Sequence, residues 1–203
     1  MRKTIAMATT VMLALMVAGC GHKANDQAVA AGNDIANVSD DTGNAIANAA
    51  DSVKEAVTPT PTGQEFADKA ARSDAFEIAS AKLARAKSAS ADIKSFASMM
   101  IEDHTASTAK IKTAASEANP AITPNPALTD DQNQKLADLQ NLSGADFDKE
   151  YASQQVDAHQ DALSLMTLYA DHGDVASLKT AAADIRPKVQ AHLDRIKAIK
   201  DKL

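Results

Sequence analysis

At 203 residues, with a formal net charge of -6, 3% aromatic content and no tryptophan, the chain has room for one ordinary domain plus extensions. The lack of any basic cluster argues against a nucleic-acid partner, whose phosphates must be neutralised by Lys and Arg. Abundant Ala beside scarce aromatic residues disfavours a sandwich or barrel and predicts an all-α protein of closely packed helices.

Residues 1–19 read as a signal peptide. Arg2 and Lys3 form a positive start, and TIAMATTVMLALMV is an apolar run too short to span a bilayer. It ends in Val17-Ala18-Gly19-Cys20, which resembles the lipobox of bacterial lipoproteins. That resemblance implies that Cys20 becomes the acylated first residue of the mature protein and anchors it to a membrane. In such proteins an Asp after the cysteine signals retention at the inner membrane. Gly21 stands there instead, so the expected location is the periplasmic side of the outer membrane. With one cysteine in the chain, an intramolecular disulfide is impossible.

Residues 20–62 are rich in Ala, Asn and Asp and end in the Pro-punctuated TPTPT, which reads as a tether. Within it, GNDIAN at 32–37 recurs as GNAIAN at 43–48. The eleven-residue step would place Ile35 and Ile46 on one stripe of a marginal helix, although the glycines and polar residues favour a disordered spacer.

Helical periodicity begins at Gln64 and continues to the end of the chain. A first helix over about 64–88 points Phe66, Ala70, Phe76, Ala81 and Ala84 inward, and a second over about 91–117 points Ile93, Phe96, Ala97, Met100 and Ile111 inward. Prolines 120, 124 and 126 break the chain before a short helix, capped by Thr129, that runs to about Leu142. A third long helix covers about 145–171, and the turn His172-Gly173-Asp174 leads into a fourth. The expectation is a four-helix bundle of two hairpins, with a connection that either runs alongside the bundle or caps one end.

Counting in steps of three, four and seven puts His104, His159 and His192 on the apolar lines of their helices, and Glu77 on the line of Phe66, Ala70, Ala81 and Ala84. By helical rise, Glu77 and His104 sit roughly 18 and 21 Å from their hairpin turn, a near match. His159 and His192 come out at roughly 21 and 28 Å from theirs, a poorer one, which a kink at Pro187 could alter. Buried Glu77 requires a partner: a protonated histidine, a hydroxyl such as that of Tyr151, or a metal. Three imidazoles and a carboxylate suit a single Zn, Cu, Fe or Mn ion. Equally, hydrogen-bonded core histidines can fix helix register and bind nothing. Glu102 reads as solvated, and Asp103 as flanking the core edge. Met99, Met100 and Met166 read as core rather than as soft ligands.

Carboxylate-bridged di-iron bundles use Glu-x-x-His pairs, but Ile101, Val156 and Val189 stand three residues before the histidines. Ferroxidase chemistry of that kind is not expected. Nor does the sequence hold a Gly-rich phosphate loop, a serine nucleophile elbow or a Cys-His arrangement. A binding module is therefore favoured, with a structural or stress-related envelope protein acting through protein partners as the alternative and an enzyme as the weakest reading.

Over about 63–203, a dispersed set of residues resembles the bacterial family called domain of unknown function 4142. The set comprises Glu77 with Leu83-Ala84, Phe96-Ala97, Met100, Asp103-His104, Gly144, Phe147-Asp148, Tyr151, His159, Pro187 and His192-Leu193. The resemblance implies a ferritin-like four-helix bundle, often exported or lipid-anchored, and no established activity. It singles out the same Glu and His positions, with Asp103, Asp148 and Tyr151 as supporting or structural residues.

Overall fold

The computed structural model describes residues 59–203, and the signal peptide, Cys20 and nearly all of the tether lie outside them. Five helices follow in chain order: α1 (Gly63–Lys87), α2 (Ala91–Ser116), α3 (Asp130–Asn141), α4 (Gly144–His172) and α5 (Ala176–Lys200). All are α-helical, and there are no strands among the described residues.

Local chemistry sets the starts. Thr62 and Glu65 form a capping box at α1, Thr129 and Gln132 form another at α3, and Ser90 accepts from the Ile93 amide at α2. Gly144 begins α4 at φ 60°, a left-handed conformation that favours glycine. Pro187 lies inside α5, and the helix runs on through it to Lys200.

The α1/α2 and α4/α5 hairpins pack together through α1 on α4 and α2 on α5. The connection runs alongside the bundle. Leaving the end of α2, it is held along α1 by Gln64 to the Thr123 carbonyl (3.0 Å), by Asp68 to the Asn125 amide (2.7 Å) and by Arg72 to the Ala127 carbonyl (2.8 Å). α3 then lies against α1 and α4, with Leu139 fully buried, and Lys87 binds the Leu142 carbonyl at 2.8 Å. This long crossover makes α2 and α4 parallel to each other while every packed pair of long helices remains antiparallel, one of the connectivities open to four-helix bundles.

The apolar core is in two parts. One cluster, at the end of the α1/α2 turn, includes Ile93, Phe96, Met100, Phe147, Tyr151 and Ile196. The other, at the end of the α4/α5 turn, includes Phe66, Ile111, Met166, Tyr169, Leu178 and Ile185. Between the two lie Asp74, Glu77 and Ser80 on α1, His104 on α2, His159 on α4 and His192 on α5, while buried Asp148, Gln154 and Gln155 of α4 are interleaved with the first cluster.

The second cluster is anchored by Phe66, whose ring stacks on Tyr169 with centroids 3.9 Å apart and planes at 9°. Phe66→Ala should lower the unfolding free energy by about 3–5 kcal/mol, measured by urea denaturation. A loss below about 1 kcal/mol would show that this end of the bundle repacks freely.

Candidate metal centre

The polar layer brings the three sequence-predicted histidines together. Ring centroids are 5.9 Å apart for His104 and His159, 5.6 Å for His104 and His192, and 5.5 Å for His159 and His192. One ring nitrogen from each lies within 4.8 Å of one from each of the others. The poor height match from the sequence is resolved by side-chain direction. His159 is 13 residues before the end of α4 and His192 is 16 after the start of α5, about 20 and 24 Å of rise. Helical side chains lean toward their own N-terminus, so His159 leans away from the turn and His192 leans toward it.

Each ring has one nitrogen held from outside the trio. His104 Nδ1 pairs with Asp74 Oδ1 at 2.7 Å, His159 Nδ1 donates to the Gln155 carbonyl at 2.7 Å, and His192 Nε2 pairs with Asp103 Oδ2 at 2.9 Å. The other nitrogens, His104 Nε2, His159 Nε2 and His192 Nδ1, are buried without any hydrogen-bond partner. A carbonyl or carboxylate on one nitrogen fixes the tautomer and leaves the lone pair on the other, as in many protein metal sites. Burying one such group without a partner costs about 1–3 kcal/mol. The donor set therefore fits an ion, and hydrogen-bonded core packing alone leaves half of each ring unexplained.

Electrostatics separates the three rings. Burial pushes the His159 pKa down to about 3, aided by the charges of His104 and His192 and opposed by the hydrogen bond to Gln155. Burial also lowers that of His192, with the His104 charge, against the pull of Asp103. At His104 burial acts downward as well, but the Asp74 hydrogen bond and the charges of Glu77, Asp74 and Asp103 outweigh it and raise the value. Of the three rings, His104 is therefore the one whose surroundings favour a proton, and those of His159 and His192 disfavour it.

Glu77 is not in the ligand group. The partner of His104 on α1 is Asp74, one turn earlier on the same face, whose second oxygen accepts from Thr108 at 3.0 Å. Asp74 was missed in the sequence, although it falls on the line of Phe66, Ala70 and Glu77. Glu77 instead borders the adjoining polar pocket of Gln155 and Ser80, with Oε2 unpaired. Tyr151 is fully buried, stacked on Phe147, with its hydroxyl also unpaired. Asp148 supports no histidine: its Oδ2 accepts from the Ser90 amide at 3.0 Å and ties α4 to the α1/α2 turn. Asp103 has the larger role, because it binds His192 through one oxygen and Lys188 through the other at 3.0 Å. Met100 belongs to the apolar cluster, and Met166 lines a cavity beside His104 and His192.

Residues 48–199 match a family model described as domain of unknown function (DUF4142). The chain belongs to that family. No curated protein matches it in sequence. Two solved structures of CopM share its fold. The Cu(II)-bound form has a TM-score of 0.60 at 19% identity, covering 71% of this chain and 99% of that one. The Cu(I)-bound form has a TM-score of 0.58 at 19% identity, covering 70% and 97%.

Burial pushes the Glu77 carboxyl up to about 7, against the charge of His104 and a hydrogen bond from Gln155 and with the charge of Asp74. Between pH 4.5 and 7 the folded state therefore keeps a proton that the unfolded state has lost, and stability falls as pH rises through that window. Glu77→Gln should remove the effect. Relative to the parent, the metal-free variant should gain on the order of 3 kcal/mol between pH 4.5 and pH 8. Denaturation curves at both values check this, and an unchanged difference would show that Glu77 ionises freely.

Proposed function

We propose that this family member is a cell-envelope metal-binding module that holds one copper ion between His104, His159 and His192. The observation that carries the reading is the set of three buried, unpartnered imidazole nitrogens within reach of one another, each on a ring whose other nitrogen is already held. Asp74, Asp103 and the Gln155 carbonyl would orient the rings and raise their basicity. Glu77, in the adjoining pocket, would contribute through its charge.

Copper is favoured over Zn, Fe and Mn on two grounds. Nitrogen donors bind Cu(II) more tightly than the other divalent ions of the first row, and neutral imidazoles with a thioether nearby also suit Cu(I). The fold shared with CopM in its Cu(II)- and Cu(I)-bound forms supports testing this ion first. Bound there, the ion would sit among buried side chains contributed by three of the long helices.

A second reading has its own support. Asp74 with His104 joins α1 to α2, and Asp103 with His192 joins α2 to α5, so both pairs would lock the bundle without an ion. Metal analysis of the purified protein after exposure to Cu(I), Cu(II), Zn, Mn and Fe separates the two. The copper reading expects one ion per chain, loss of stoichiometric binding in His104→Ala, and affinity 10–100-fold weaker in Asp103→Asn. Free copper at a hundred times Kd should stabilise the fold by about 2.7 kcal/mol. Sub-stoichiometric content with unchanged stability would leave the locking role.

We also propose that the protein is tethered through acylated Cys20 on the periplasmic side of the outer membrane. The lipobox-like VAGC, with Gly21 after it, supports this. Among the described residues no helix is long and apolar enough to cross a membrane, so a tether of this kind would supply the attachment. Cys20→Ser should abolish incorporation of labelled fatty acid and release the protein from the membrane fraction. Retained labelling would contradict it.

A further inference from the structure

A cavity of about 160 Å³ opens between α2 and α5 and reaches His104 and His192 at its inner end. One water needs only about 10–15 Å³ of such space, so the cavity has room for a partly hydrated ion. Asp74 and Met166 line its depth, and Ser107 lies on the α2 side. The other grooves described, one along α1, α3 and α4 and one beside Leu142 and Lys200, touch no histidine.

Two ion pairs cross the α2/α5 seam where this cavity meets solvent. Lys110 on α2 binds Asp184 on α5 at 2.8 Å, and Lys188 on α5 binds Asp103 on α2 at 3.0 Å. Three of the four side chains are 47–58% exposed, whereas that of Asp103 is 18% exposed. Lys110–Asp184, exposed on both sides, is the kind of pair that contributes about 0–1 kcal/mol and opens readily, and Lys188 is the exposed end of the other pair. Asp103 is the one member that also touches the centre, since its Oδ2 holds His192 while its Oδ1 faces Lys188.

Resting on the copper reading above, the geometry points to this cavity as the ion's route to the histidines, with Asp103 as the carboxylate that first receives it in exchange for Lys188. The lysine ammonium occupies the position that an incoming cation takes at Oδ1. When the ion moves inward to the imidazoles, Lys188 returns and closes the mouth. His192 keeps its hydrogen bond to Oδ2 throughout, so the loading carboxylate and the orienting carboxylate are one residue. Three aspartates line the path and attract a cation, the two lysines at the mouth oppose its entry until they are displaced, and the remaining walls include apolar residues such as Ala162, Ile185 and Val189.

Stopped-flow loading with Cu(I) or Zn, followed by competition with a chromophoric chelator, gives the rate separately from Kd. Lys188→Ala should speed loading about threefold or more at low ionic strength, with the gain shrinking as salt is added. Lys94→Ala removes the same charge from an exposed site elsewhere on α2 and should not change the rate. Ser107→Trp should slow loading and release together by about tenfold, with Kd little changed because both directions use one path. Circular dichroism confirms that each variant is folded, and if Ser107→Trp does not fold, the Lys188 and Lys94 comparison decides alone. Parental rates in both Lys188→Ala and a folded Ser107→Trp, with one ion still bound, would overturn the route and leave the copper reading intact. A parent that binds no ion would overturn both.

Discussion

The structure depends on a layer of buried polar groups placed across the middle of an apolar bundle. Two hydrophobic clusters lie on either side, and neither continues through the plane of Asp74, Glu77, His104, His159 and His192. Three imidazole nitrogens in that layer have no partner. At about 1–3 kcal/mol each, their combined desolvation is comparable with the net stability of a domain, about 5–15 kcal/mol. Such an arrangement persists when something else is gained from it. A bound cation would be the simplest gain, since it would satisfy all three lone pairs at once.

The fold serves the layer in two ways. Every long helix contributes to it, so the groups are fixed by the packing of both hairpins. The long crossover between α2 and α4 allows all four neighbouring pairs to be antiparallel, which brings side chains leaning in opposite directions to a common height. Orientation is then set from outside the trio. A carbonyl one turn back on the same helix holds His159, and carboxylates on neighbouring helices hold His104 and His192.

Much of this was legible in the sequence. The helices and their caps follow from periodicity and from Thr62, Ser90 and Thr129, and the three histidines stand out because each interrupts an apolar line. What was missed concerns relations between helices. Asp74 shares a face with Glu77, but choosing between them required the offset of α1 against α2, which a count of residues from a turn gives only to about one helical turn. Asp103 lies off the line of His104 and reads as an edge residue when α2 is considered alone. Its partner is on α5, and nothing within α2 reveals that. Asp148, expected to be supporting or structural, is structural, since it ties α4 to the α1/α2 turn through the Ser90 amide. The connection could not be traced because Arg72 and Lys87 reach backbone carbonyls, which have no sequence signature.

The most direct test of the central claim is to see which nitrogen of each ring takes the ion. Long-range proton–nitrogen NMR spectra of the imidazoles, recorded with and without Cu(I), report this ring by ring. The account predicts protons on His104 Nδ1, His159 Nδ1 and His192 Nε2, and a large shift on Cu(I) addition confined to His104 Nε2, His159 Nε2 and His192 Nδ1. Unshifted resonances at these three nitrogens, with the ion bound elsewhere or not at all, would contradict it.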